Sequence, residues 1–137
     1  MLNFEIDTQR GSFRLDVKCI LSSDWTVVFG HSGAGKSTLL RLLAGLDRNP
    51  QTRARVLLDG RLATDTTTGV WLAPGKRRTA LVSQHPSLFP HLSVEANVAY
   101  GLSGMDRATR SKRVVEMLEL ADATDLMHRR PQDLSQT

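Results

Sequence analysis

With 137 residues, 18 Lys and Arg against 14 Asp and Glu, and 40% hydrophobic residues, the chain has the makeup of one ordinary globular domain with its own core. No apolar run approaches the ~18 residues of a membrane span, the start Met1-Leu2-Asn3-Phe4-Glu5 lacks the basic and apolar regions of a secretory signal, and the single cysteine, Cys19, excludes an internal disulfide; together these point to the cytoplasm. The net charge of +4 is spread over small groups (Arg53/Arg55, Lys76-Arg77-Arg78, Arg107/Arg110/Lys112/Arg113, Arg129-Arg130) with no interleaved aromatics to stack bases, which reads as solvated faces and argues against a nucleic-acid partner.

Residues 2–7 and 13–19 read as two strands joined by a turn at Arg10-Gly11-Ser12. In the second, Phe13, Leu15, Val17 and Cys19 alternate with Arg14, Asp16 and Lys18, the period of a half-buried strand, which makes Cys19 a core residue. The continuous apolar run Trp25-Thr26-Val27-Val28-Phe29 predicts a parallel strand covered on both faces. It feeds into Gly30-His31-Ser32-Gly33-Ala34-Gly35-Lys36-Ser37-Thr38, a glycine, four residues and Gly-Lys-Ser: the pattern of a phosphate-binding loop.

The chemistry of that loop lies in its backbone. Glycines 30, 33 and 35 admit conformations closed to other residues, so successive N–H groups can turn inward as an anion nest. The helix opening near Lys36 adds the positive end of its dipole, the Lys36 ammonium can reach β- and γ-phosphates, and Ser37 offers a hydroxyl to Mg²⁺. Leu39, Leu40, Leu42, Leu43 and Leu46 suit a helix packed against a sheet, with Gly45 placed to end it.

Arg53 to Leu58 reads as a strand closed by the turn pair Asp59-Gly60. That pair is a ready hairpin turn, which argues against taking Val56-Leu57-Leu58-Asp59 as an apolar run ending in a magnesium-binding aspartate. Residues 63–75 are polar and turn-rich around an apolar island of Val70, Trp71 and Leu72, and residues 79–83 predict a short buried strand ending at Gln84. From Pro86 onward the pattern is helical. Ser93 can cap a helix running to about Tyr100 with Glu95 in its first turn, and Asp106 can cap a second with Val114, Val115, Leu118 and Ala121 as its apolar stripe. A short third helix is predicted over residues 122–127, and Pro131 begins the tail.

The loop alone fits kinases, GTPases or motor ATPases. The stretch Leu81-Val82-Ser83-Gln84-His85-Pro86-Ser87-Leu88-Phe89-Pro90-His91-Leu92-Ser93-Val94-Glu95-Ala96-Asn97-Val98-Ala99-Tyr100-Gly101-Leu102 resembles the Q-loop and the start of the helical subdomain in the ATP-binding subunits of ABC transporters, importers above all. Phosphate loop, Q-loop and helices follow in that family's order and roughly its spacing, over essentially the whole chain.

The resemblance implies an α/β fold of the P-loop NTPase class: the N-terminal part of an ABC ATPase, with an antiparallel β-subdomain and the start of the helical subdomain. Residues 1–85 would form the nucleotide-binding core and residues 86–137 a partial helical subdomain. It implies ATP and Mg²⁺ as cofactors, with Gly30, His31, Ser32, Gly33, Ala34, Gly35, Lys36, Ser37 and Thr38 around the phosphates. Ser37 and Gln84 would hold the metal, with Gln84 also sensing the attacking water. The implied partners are a second ATPase subunit and a membrane permease, the latter received near Leu88, Phe89 and Pro90, which would place the protein at the inner face of the cell membrane.

Within the family, Gly69-Val70-Trp71-Leu72-Ala73-Pro74, Lys76-Arg77-Arg78 and Leu88-Phe89-Pro90-His91 are most similar to molybdate importers, although importers of sulfate, iron, sugars or polyamines share much of this wording. Three departures stand out. The family stacks adenine on an early aromatic residue before a glycine, where Gln9 and Arg10 stand here; Phe13 or the planar Arg10 guanidinium would have to serve. The tail Leu134-Ser135-Gln136-Thr137 begins like the Leu-Ser-Gly-Gly-Gln signature and then departs from it. The family's second aspartate motif, catalytic glutamate and switch histidine have no counterpart before residue 137, so residues 1–137 alone are expected to bind nucleotide without hydrolysing it. Two other classes remain: a non-catalytic nucleotide-binding or pairing module, and a nucleic-acid-handling ABC ATPase, which would require long insertions and metal-binding cysteines or a coiled coil that this sequence does not show.

Overall fold

The computed structural model describes residues 1–84 and 88–134, which divide into two compact units, Met1–Val82 and Ser83–Thr137. His85, Pro86 and Ser87 of the Q-loop stretch, and Ser135, Gln136 and Thr137 of the signature-like tail, lie outside the described residues.

In the first unit, β1 (Leu2–Arg10) and β2 (Phe13–Leu21) form an antiparallel hairpin in register from Leu2 opposite Leu21 to Arg10 opposite Phe13. Gly11 takes φ 58° at the first position of its two-residue turn, a conformation that costs glycine least. The alternation predicted for β2 is realised, with Phe13, Leu15, Val17, Cys19 and Leu21 half-buried and the residues between them exposed. β3 (Arg53–Leu58) pairs with β1 and turns through Asp59 and Gly60, both at positive φ, into β4 (Arg61–Asp65), followed by the short β5 (Val70–Trp71). The sheet order is β2-β1-β3-β4-β5, antiparallel throughout. β4 lies partly within the stretch that reads as turns, because a bulge between Val56 and Leu57 shifts the register and buries both Ala63 and Thr64, hiding the period-2 signal.

Helix α1 (Lys36–Leu43) lays Leu39 and Leu42 on one face of this sheet, against Phe4, Ile6, Ala54, Val56 and Ala63. Each large side chain buried there contributes about 1.5–3 kcal/mol relative to exposure. Leu40 and Leu46 of the predicted apolar face remain exposed. Gly45, at φ 74°, ends the helix as expected.

Two predicted strands are corrected. Residues 25–29 form no strand, and Trp25 and Phe29 are 91% and 98% exposed; residues 79–83 form none either, with Val82 exposed. A strand buried on both faces needs neighbours at its edges and cover above and below it. Among the described residues neither segment finds a ladder partner, so sequence character alone does not make it a strand.

The basic run 76–78 is likewise not a uniformly solvated face. Arg77 is buried: its Nε donates to the Leu72 carbonyl (2.8 Å), and its two terminal nitrogens donate to the Leu43 carbonyl (2.9 Å) and the Thr64 hydroxyl (2.7 Å). Its guanidinium also stacks over the Trp71 ring at 4.9 Å, tying the end of α1 to β4 and β5. Burial lowers its pKa from the ordinary arginine value.

The second unit contains α2 (Val94–Tyr100) and α3 (Arg107–Leu120), with single 3₁₀ turns at Thr124–Leu126 and Pro131–Asp133. The third predicted helix is therefore only one turn. Val94, Val114 and Leu118 form the core, packed by Val98, Ala99, Leu126 and Met127, while Val115 of the predicted stripe is exposed. Both predicted caps are present: Ser93 Oγ accepts from the Ala96 N–H and Asp106 Oδ1 from the Thr109 N–H. No helix among the described residues is long and apolar enough to cross a membrane.

The Asp106 cap makes α3 sensitive to acid. The Thr109 hydroxyl and backbone N–H favour the carboxylate, holding its pKa below the ordinary value of 3.8. Its contribution to folding is thus present above that value and is lost as pH falls through the lowered one. On acidification below about pH 4, far-UV circular dichroism should show loss of helix in the wild type, and a weaker acid dependence in Asp106→Asn, whose amide oxygen keeps the cap without titrating. Identical acid titrations for the two would refute this role.

Candidate functional site

Residues 30–35 lead into α1 through a glycine-rich turn, and residues 36–38 form the first turn of that helix. Gly33 and Gly35 adopt φ 81° and 89°, so the backbone folds twice through the left-handed region before the helix begins. The Ala34 N–H donates to the His31 carbonyl at 3.2 Å, and a Cβ on Gly30 would approach that of Ala34 to 3.3 Å. His31 Nδ1–H donates to the Ser32 carbonyl at 2.7 Å.

Lys36 curls back over the loop that precedes it. Its ammonium donates to the Gly30 carbonyl at 2.7 Å and the His31 carbonyl at 2.8 Å, which fixes the charge above the turn. The first α-helical bond runs from the Leu39 N–H to the Gly35 carbonyl at 2.8 Å. The N-cap residue is Gly35, with no side-chain cap and no acidic residue in the first turn. The first-turn amides and the positive end of the α1 dipole are thus left without a side-chain or acidic partner at this end of the helix. Ser37 is exposed at this end of the helix and Thr38 half-buried.

Gly35 is required for a second reason. A Cβ there would lie 2.5 Å from Phe13 Cζ and 3.4 Å from Leu15 Cδ1, so the loop rests directly on β2. Phe13 therefore stands beside the loop. Arg10, the alternative stacking group, is instead ion-paired with Asp47 just beyond α1, and the Asn49 side chain donates to the Gln9 carbonyl at 3.2 Å. Asp59 is exposed in the hairpin turn and takes an ion pair from the N-terminus at 2.6 Å, in keeping with its reading as a turn residue.

These nine residues are brought together in the first unit, whereas Gln84, exposed at a bend, and Leu88, Phe89 and Pro90 belong to the second. Leu88 and Phe89 are partly exposed, and Phe89 stacks on Tyr100 with ring centroids 4.5 Å apart. A cleft of mixed character, lined by Leu2, Leu21, Leu58 and Leu72 together with Asp24, Asp59, Arg61 and Arg77, includes none of residues 30–38. One organising residue, Asn97, is not singled out by sequence reasoning; its signal is an asparagine, a poor helix former, inside a seven-residue helix.

The donor set fits a polyphosphate with its metal: a glycine turn with two residues at positive φ, an ammonium bonded to that turn, an uncapped helix start and an exposed hydroxyl at Ser37. A family model described as ABC transporter matches residues 16–137. The chain is 36% identical over 135 residues to a molybdenum import ATP-binding protein of Paramagnetospirillum magneticum, covering 98% of this chain and 37% of that protein. It is 44% identical over 124 residues to one of Azotobacter vinelandii, covering 90% and 34%, and 40% identical over 134 residues to a molybdate/tungstate import ATP-binding protein of Archaeoglobus fulgidus, covering 98% and 52%. The chain thus spans about a third to a half of the length of these relatives.

Proposed function

We propose, from the premise that this chain belongs to the ABC transporter family, that it binds Mg·ATP on residues 30–38 and acts in the ATP-binding subunit of an importer for an oxyanion such as molybdate. The observation that carries this reading is the Lys36 ammonium held over a glycine turn at the uncapped start of α1. Backbone N–H groups from Gly33 to Thr38 hold the phosphate charge, and Lys36 adds a point charge toward the β- and γ-phosphates. Ser37, exposed at the start of α1, would supply its hydroxyl to Mg²⁺. When bound, the metal neutralises charge on the phosphate oxygens. Phe13, whose ring packs against Gly35 of the loop, is the candidate surface for the base.

The choice of solute rests on the names of the relatives, which specify import of molybdenum, molybdate or tungstate. Transport further requires a second ATPase subunit and a permease, received at Leu88, Phe89 and Pro90 on the inner face of the membrane. Titration of the chain with ATP, with and without Mg²⁺, tests the nucleotide part. The wild type should bind ATP about tenfold tighter with Mg²⁺ present, and Ser37→Ala should lose most of that difference. Equal affinities with and without the metal in the wild type would remove Ser37 from the proposed metal site.

A further inference from the structure

We infer that Asn97 is the positioning residue of the docking loop, the side chain that holds residues 88–92 in the shape a permease receives; this rests on the docking reading proposed above. α2 is a fixed post. Its first two N–H groups donate to backbone carbonyls of the same unit, Val94 to Arg129 and Glu95 to Met127, each at 2.9 Å, and Val94 is buried in the core. From this post the Asn97 side chain reaches the preceding segment in both hydrogen-bonding senses. Its Oδ1 accepts from the Phe89 N–H at 2.8 Å; its Nδ2 donates to the carbonyls of Phe89 (3.2 Å), Leu92 (3.3 Å) and Ser93 (2.9 Å).

Such an amide replaces a strand partner for a segment with no sheet to join. Within the loop the Leu92 N–H donates to the Phe89 carbonyl at 3.1 Å, closing a turn that Asn97 grips at both ends. Tyr100 lies three residues after Asn97, on the same face of α2, and stacks on the Phe89 ring. His91 meets that ring edge-on at 6.0 Å. Leu88 and Phe89 are therefore presented as a partly exposed apolar pair on a hydrogen-bonded frame, with Asn97 half-buried beneath them. Pre-ordering of this kind lowers the entropy lost when a partner docks.

The test combines amide hydrogen exchange on the chain with binding to the permease of a molybdate importer, co-expressed and captured in lipid nanodiscs. Asn97→Ala should make the Phe89 amide exchange roughly tenfold faster while the Val114 and Leu118 amides remain slow, and should weaken permease binding by about tenfold. Should Asn97→Ala loosen those core amides too, Asn97→Asp carries the same comparison, because it keeps the acceptor for the Phe89 N–H and loses the three donations. Unchanged exchange at Phe89 overturns the positioning role. Faster exchange with undiminished binding, where Phe89→Asp abolishes binding, removes Asn97 from docking and leaves the docking reading standing. No binding by the wild type, or binding insensitive to Phe89→Asp, defeats the docking reading and the role of Asn97 in it.

Discussion

Lys36→Ala is expected to lower the affinity of the chain for Mg·ATP by about a hundredfold, equivalent to about 2.8 kcal/mol. The ammonium carries three N–H donors, and two are engaged by the Gly30 and His31 carbonyls, so the charge is placed before any ligand arrives. Alanine removes that charge and leaves the turn without its bridge. The loss should be specific to the phosphate end: AMP, which lacks the β- and γ-phosphates, should bind the variant and the wild type within about twofold of each other. Lys36→Arg should not rescue ATP binding, because a broad planar guanidinium does not fit where a compact ammonium sits between two carbonyls of one turn. Calorimetric titration with ATP, ADP and AMP reads all three expectations. An affinity for ATP within threefold of wild type in Lys36→Ala would remove the phosphate role of this loop.

The second large effect concerns folding. Gly45→Ala should destabilise the first unit by about 4 kcal/mol, a fall in melting temperature of roughly 16 to 32 °C. About 1–2 kcal/mol comes from placing alanine at φ 74°. The remainder comes from Arg77, because the new Cβ would lie 2.3 Å from its Nε and 2.6 Å from its Cζ. Moving the guanidinium breaks its bonds to Leu72, Leu43 and Thr64, and each buried group left unpaired costs about 1–3 kcal/mol.

Arg77→Ala should cost a comparable amount by itself, and the two substitutions should be strongly non-additive. Once Arg77 is shortened, Gly45→Ala retains only the φ penalty, so the double variant should be about 1–2 kcal/mol less stable than Arg77→Ala. Thermal melts of the four proteins measure this coupling. Full additivity would show that the glycine is needed for its backbone alone.

Much of the candidate site was legible from short-range chemistry. The glycines of residues 30–38, Lys36 and the helix after them follow from a spacing whose purpose is local: positive φ, N–H groups and a helix start within nine residues. The caps at Ser93 and Asp106 and the Asp59-Gly60 turn were visible for the same reason, since each bond spans three residues or fewer. Residues 25–29 and 79–83 were misread because an apolar run states only that a segment can be buried. Whether it becomes a strand depends on neighbours elsewhere in the chain.

Arg77 and Asn97 show what composition conceals. A basic run looks solvated until one member meets two carbonyls, a hydroxyl and an indole contributed by α1, β4, β5 and the residue after β5. An asparagine in a short helix looks incidental until the preceding loop folds onto it. By itself the sequence determined the glycine turn before α1, the hairpin turns and the helix caps, because those conformations follow from neighbouring residues. Only the tertiary structure decided which apolar runs became strands, why Gly45 admits no side chain, and which polar side chain holds the loop at Phe89. Each of these depends on groups far apart in sequence, whose burial and pairing exist only once the chain has folded.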